Sequence, residues 1–180
     1  MSGEESKREV LHEGRWLRFV RERDWEFVEH RSVQGIAVVI ALTSDDRLLL
    51  VEQERIPLGR SVIELPAGLI GDTEARAGED FADAARRELL EETGYSAERV
   101  QLVYSGPMSP GRSADQYSFF RADGVARVHA GGGDETEAIT VHAIPRAEIH
   151  AWLRAQQAAG RLIDPKIFVG LYLLQYPNAI

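Results

Sequence analysis

A chain of 180 residues with 44% hydrophobic and 28% charged side chains has the balance of one folded, water-soluble domain rather than a disordered or fibrous polymer. Its 29 acidic residues outnumber 21 basic ones, giving a net charge of -8, so the average surface field disfavours nucleic acid and anionic membranes as partners. The absence of cysteine rules out disulfides, thiolate metal sites and a cysteine nucleophile. No segment has the length of a bilayer span or the pattern of a signal peptide, and a cytoplasmic location is the expectation.

Along the chain, "WLRFVR" from Trp16 and "WEFVEH" from Trp25 are short, aromatic, β-branched runs around a polar "ERD", which predicts an N-terminal β-hairpin. "GIAVVIAL" (35–42) and "RLLLVEQ" (47–53) predict a second, more buried antiparallel pair at the centre of a sheet. "SVIELPAG" reads as a strand brought to a stop at Pro-Ala-Gly, followed by a loop, "LIGDTEARAGED". From Phe81 the period becomes helical, with Phe81, Ala85 and Leu89 on one face and Gly94 placed to end the helix in a left-handed conformation. Strands are predicted at "VQLVYSG", "QYSFFR" and "AITVHAI", and helices at "RAEIHAWLRAQQ" and "DPKIFVGLYLLQ". The layout is α/β: a mixed sheet flanked by helices, with Tyr104, Phe119 and Phe120 in the core and the apolar stripe of the last helix packed on the sheet.

The helix "AARRELLEETGY" carries three crowded carboxylates. Glu88 and Glu92 lie one turn apart and Glu91 falls between them, so all three can present oxygens to one side, while Arg87 stands four residues before Glu91 and can hold it by an ion pair. An acidic face of this kind is ordinarily just solvated. Here the turn "LPAGL" can bring a backbone carbonyl, such as that of Ala67, beside the carboxylates, and oxygen donors of this kind suit Mg2+ or Mn2+. A cation between the charges removes their repulsion.

The segment "GEDFADAARRELLEETGY" closely resembles the Nudix box, in which a glycine and a glutamate precede R-E-U-x-E-E-x-G-U, with U apolar. Glu79, Arg87, Glu88, Leu89, Glu91, Glu92, Gly94 and Tyr95 match. The box's first glycine is matched by Gly68, but ten residues separate it from Glu79, more than in the family, so "LIGDTEARAG" is read as containing an inserted loop. The resemblance implies the Nudix fold and hydrolysis of a nucleoside diphosphate linked to another group. It makes Glu88 and Glu92 the principal metal ligands, with the carbonyl of Ala67 completing the set, Glu91 assisting, and Arg87 and Glu79 orienting them.

Five further features resemble the ADP-ribose and nucleoside-diphosphate-sugar branch of that family. "ELPAGLI" runs into the box. "VEQERIP" puts Arg55 at a position that contacts substrate phosphate. "GRWLRF" and "DWEFV" match segments that stack an adenine between aromatic rings, implicating Trp16, Trp25 and Glu26, although core packing is the usual fate of tryptophan. "GGGDETEAITVHAI" matches a mobile catalytic loop in which Glu135 is the proposed general base and Glu137 a metal-side carboxylate; which of the two takes the proton stays open. "GPMSPGRSAD" resembles a loop that cradles the terminal sugar, making Asp115 a candidate for its hydroxyls. His142 and His150 are read as surface or strand histidines.

The resemblance thus implies a homodimer in which residues 1–34 form an exchanged hairpin region and residues 35–180 the hydrolase domain, acting with Mg2+ on ADP-ribose to give AMP and ribose 5-phosphate. The alternatives are GDP-mannose or another diphosphate sugar as substrate, a nucleotide-triphosphate sanitiser, and a nucleotide-binding sensor without catalysis.

Overall fold

The computed structural model describes residues 8–107, 109–133 and 138–177. Three antiparallel strands come first: β1 (Glu9–Glu13), β2 (Leu17–Glu22) and β3 (Trp25–His30) form their own sheet in that order. The aromatic runs do make the expected hairpin, and it is widened by β1, whose "EVLHE" has too few apolar positions to announce a strand. Next come β4 (Gly35–Thr43), β5 (Arg47–Arg55), β6 (Arg60–Glu64) and β7 (Ala67–Ile70), then helix α1 (Phe81–Thr93). Strands β8 (Tyr95–Ser96), β9 (Arg99–Pro107), β10 (Gln116–Arg127) and β11 (Thr140–Pro145) follow, then α2 (Ile149–Ala158), β12 (Leu162–Ile163) and α3 (Lys166–Gln175).

The central sheet is two half-sheets. In one, β4 lies between β10, which runs parallel to it, and antiparallel β7, with β9 outside β10. In the other, β5 lies between antiparallel β11 and β6, with β12 parallel to β6. The expected antiparallel pairing of β4 with β5 reduces to one described pair, Leu42 with Leu48. Each strand finds its main partners farther along the chain, and those long-range ladders override the pairing suggested by adjacency. The Pro-Ala-Gly stop is also corrected: Pro66 ends the pairing of β6, its carbonyl accepts from Val39 N–H at 2.8 Å, and the chain re-enters the sheet at once as β7.

Alternation along β4 places helices on both faces. Ala37, Val39 and Ala41 pack with Ala84, Ala85 and Leu89 of α1, whereas Val38 and Ile40 pack with Ile149 and Leu153 of α2 and Ile167 and Leu173 of α3. Phe119 and Phe120 divide between the two cores in the same way, and Tyr104 packs against the second, as the sequence predicts. Helix α1 starts where the Asp80 carboxylate accepts from Ala82 N–H at 2.8 Å, and it ends at Gly94, whose φ of 73° is a left-handed conformation costly for other residues.

Candidate active site

The carboxylates of α1 face a cleft of about 770 Å³ between the two half-sheets. One wall is β7 with α1, supplying Ala67, Gly68, Arg87, Glu88, Glu91 and Glu92; the other is the β5–β6 hairpin with the start of α3, supplying Arg55, Glu64, Asp164 and Lys166. Ile36 and Tyr117, at the starts of β4 and β10, also line it.

Two of the carboxylates are buried, Glu88 at 9% exposure and Glu92 at 4%. Burial of such charges is unfavourable unless they are paired, and the local structure supplies partners. Ala67 N–H, at the first residue of β7, donates to Glu92 Oε2 at 3.0 Å. Arg87 Nη1 reaches Glu88 Oε1 at 2.5 Å and Glu91 Oε2 at 3.0 Å, its Nε and Nη2 hold the two oxygens of Glu79 at 3.0 and 3.1 Å, and Nη2 also donates to the carbonyl of Leu69 at 3.3 Å. Burial works against the Arg87 charge, but the carboxylates outweigh it and raise the guanidinium above its ordinary value. The Arg87 hydrogen bonds in turn lower Glu79, against a smaller opposing effect of burial.

Gly68 makes this packing possible. A Cβ built there would lie 2.0 Å from the Glu88 carboxyl carbon, and 2.2 and 2.3 Å from its oxygens. The carboxylate therefore rests directly on the strand backbone, in space that any side chain at position 68 would occupy.

On the opposite wall, Arg55 donates to both oxygens of Glu64, from Nε at 2.6 Å and from Nη2 at 2.9 Å, and Glu64 is itself buried. Lys166 pairs with Asp164 and lies 5.2 Å from the centre of the Tyr117 ring. Burial pushes the Tyr117 phenol up, so it faces the cleft as a neutral hydroxyl. The cleft combines clustered carboxylates on one side with cations on both, as a phosphate-bearing, metal-assisted reaction needs.

A family model described as the NUDIX domain matches residues 33–166. The chain belongs to the NUDIX family. Over 156 residues it is 32% identical to the methanol dehydrogenase activator of Bacillus methanolicus, a match covering 86% of this chain and 78% of that protein. It is 35% identical over 98 residues to the ADP-ribose pyrophosphatase of Bacillus subtilis (strain 168), covering 54% of this chain but only 49% of that enzyme. The chain thus matches about half the length of that relative. A crystal structure of an ADP compounds hydrolase shares the fold with a TM-score of 0.71 at 20% identity, covering 94% of this chain and 90% of that one.

Within the NUDIX cleft the structure gathers six of the sequence candidates: Arg55, Ala67, Arg87, Glu88, Glu91 and Glu92. Among the described residues, no three His, Asp or Glu side chains already form a cage for a metal ion. Glu135 and Glu137, the expected loop carboxylates, lie outside the described residues. Asp115 sits behind the cleft, accepting or sharing a proton at 2.8 Å with Nδ1 of His30, and it is His30 that faces the cavity.

Trp16 and Trp25 are 59% and 60% exposed, so neither packs in the core of this chain. Trp25 lines a separate hollow of about 400 Å³ with Arg23, Phe27, Pro110 and Gly111, and Trp16 lies under the Arg15 guanidinium, 4.6 Å from its ring centre. Glu26 is held across the hairpin by Arg21 at 2.6 Å. His150 is exposed, while His142 shares the carboxylate of Glu52 with Arg161, at 3.0 and 2.6 Å.

Sequence reasoning passed over His30, Glu64, Tyr117, Asp164 and Lys166. Glu64 carried a usable signal, an acid set among the apolar residues of "VIEL" just ahead of the proline. The others are brought to the cleft by sheet pairing and helix packing that no local pattern encodes.

Proposed function

We propose that the protein hydrolyses the diphosphate bond of ADP-ribose or a closely related nucleoside diphosphate sugar, with Mg2+ as cofactor, to AMP and a sugar phosphate. The observation that carries this reading is the pair of buried carboxylates, Glu88 and Glu92, packed against the glycine strand of β7 and facing cations across the cleft. The names of the relatives add the substrate class. The donors available are all hard oxygens, from Glu88, Glu92 and the Ala67 carbonyl, with Glu137 as a further ligand from the following loop, and such a set suits Mg2+ or Mn2+. When bound, a divalent cation supplies charge neutralisation for the diphosphate and a more acidic water.

The chain's own residues do the rest in this reading. Arg87 fixes the rotamers of Glu88 and Glu91 while Glu79 fixes Arg87. Arg55, oriented by its fork to Glu64, offers its guanidinium to a phosphate oxygen. Glu135 or Glu137 accepts the proton of the attacking water, and Asp115, through or beside His30, meets the hydroxyls of the terminal sugar. The exposed aromatic sheet of β1–β3 is read as the exchanged part of a homodimer, in which Trp16 and Trp25 stack the base and Glu26 hydrogen-bonds it; Trp16, Leu17, Phe19 and Trp25 are all exposed in a single chain.

The test is a Mg2+-dependent hydrolysis panel of ADP-ribose, ADP-glucose, GDP-mannose, UDP-glucose, NADH and an oxidised nucleoside triphosphate, with products separated by chromatography. Preference for ADP-ribose, yielding AMP and ribose 5-phosphate, is the expected result. In the same assay Glu92→Gln abolishes turnover while the fold persists, and comparison of Glu135→Gln with Glu137→Gln identifies the base. Turnover of no diphosphate by folded, Mg2+-loaded protein overturns the reading. Sedimentation equilibrium tests the dimer: a mass near the 20.1 kDa of one chain refutes it.

A further inference from the structure

The stretch between Gly68 and Glu79, longer than the Nudix pattern requires, is not a featureless bulge. It forms a closed turn, a short 3-10 segment at Glu74–Arg76, in which Arg76 N–H donates to the Thr73 carbonyl at 3.0 Å and Glu79 N–H donates to the Arg76 carbonyl at 2.9 Å. Glu79 is the residue that orients Arg87. The turn therefore ties Arg76 by its backbone to the rigid network of the cleft, and its guanidinium lines the same cavity as Glu88, Glu91 and Glu92.

The cations around this cavity differ in how firmly they are held. Arg87 makes ionic contacts of 2.5–3.1 Å with three carboxylates, Arg55 holds both oxygens of Glu64 at 2.6 and 2.9 Å, and Lys166 is in close contact with Asp164. Arg76 reaches Asp72 and Glu91 only at 3.5 Å each, and it is about one-third exposed. Contacts of that length are at the edge of hydrogen bonding and exchange readily for a better anionic partner. A doubly charged diphosphate entering beside Glu91 offers such a partner, in the fork geometry that arginine matches best.

We propose that Arg76, delivered by the inserted turn, is a substrate-contacting residue that binds a phosphate oxygen of the nucleoside diphosphate. The inference rests on the proposed function for its substrate class. On binding, the guanidinium exchanges its long contact with Glu91 for the phosphate, and Asp72 keeps it directed into the cleft. The insertion then sets affinity for the diphosphate, separately from the carboxylates of the box.

The experiment is equilibrium binding of α,β-methylene ADP, a non-hydrolysable diphosphate, by calorimetry in Mg2+, to the wild type, Arg76→Met and Arg76→Lys. The expected result is that Arg76→Met weakens binding roughly ten- to a hundredfold, the scale of one charged hydrogen bond. Arg76→Lys recovers part of the loss, and the gap between wild type and Arg76→Met narrows as salt is raised. Melting temperature and the Mg2+ concentration for half-maximal hydrolysis stay near wild type, whereas a residue that only braced Glu91 would shift these and leave nucleotide affinity alone. Affinity of Arg76→Met within about twofold of wild type, or no detectable binding by the wild type, overturns the proposal. Turnover of ADP-ribose by the wild type is read separately, so a protein that binds the analogue through Arg76 but does not cleave ADP-ribose refutes the proposed function and not this contact.

Discussion

Substituting Gly68 by alanine isolates the carboxylate cradle with the smallest available perturbation. The added Cβ would lie 2.0 Å from the Glu88 carboxyl carbon, and ordinary contact begins near 3.4 Å, so the carboxyl must withdraw by about 1.4 Å. The atoms that move are the tip of a flexible side chain, so the cost to the fold is at the low end of the roughly 1–3 kcal/mol typical of overpacking. That is a fall of only a few degrees in Tm for a domain of this size. The cost to the site is larger, because metal–ligand distances tolerate about 0.2 Å and a misplacement of about 1 Å in a reacting constellation can cost ~100-fold in rate. The expected outcome is a loss of at least about 100-fold in kcat/KM for ADP-ribose, a raised Mg2+ requirement and a nearly unchanged melting curve. The assay is steady-state hydrolysis over a Mg2+ titration beside differential scanning calorimetry. Activity of Gly68→Ala within about threefold of wild type would refute the reasoning, since it would mean that Glu88 is not needed where it lies.

Other expectations follow from the same geometry. Arg55→Ala strips buried Glu64 of its fork and lowers stability by about 1–3 kcal/mol, at the modest end because Arg55 is itself partly exposed, and it raises KM for ADP-ribose; unchanged thermal stability would show that the fork does not neutralise Glu64. Trp25→Ala removes a 60% exposed ring and shifts stability by less than about 0.5 kcal/mol, yet raises KM more for ADP-ribose than for a substrate without a stacked base; equal effects on both would end its role in base binding. Glu52 is pushed up by burial, but the hydrogen bonds from Arg161 and His142 outweigh this and hold it below its ordinary 4.5. Its stabilising contribution is therefore present above the ordinary value of 4.5 and is lost as the pH falls through the lower folded value, so the Tm difference between wild type and Glu52→Gln shrinks as the pH is lowered below 4.5. A difference that stays constant as the pH is lowered until the protein unfolds would exclude Glu52 as the titrating group.

Helix α1 was legible because its evidence is local: a 3.6-residue period, a run of strong helix formers and a glycine at the left-handed end. The unbroken apolar run of β4 likewise betrayed a buried strand. Strand β7 was hidden because proline and glycine are read as breakers, whereas here the proline sits just ahead of the strand and the glycine serves a contact with Glu88 that only the folded chain reveals. The acidic wall of the cleft was likewise readable from one helix. On the opposite wall only Arg55 was, since Lys166 and Tyr117 come from elements nearly fifty residues apart that meet through the parallel pairing of β10 with β4 and of β12 with β6. Arg76 lay in a stretch visible as an insertion, but its direction depends on the turn that closes onto Glu79.

The single rung between Leu42 and Leu48 has a mechanical consequence. The acidic wall belongs to one half-sheet and the β5–β6 wall to the other, so the gap is spanned by side-chain packing and by connections such as Leu65–Pro66 rather than by a continuous hydrogen-bonded ladder. Apolar contacts do the clamping that hydrogen bonds do not: Val38 and Ile40 of one half share a cluster with Leu48, Leu50 and Ile63 of the other. The oxygens of Glu88 and Glu92, by contrast, are positioned within one half alone, by Ala67 N–H and by Arg87.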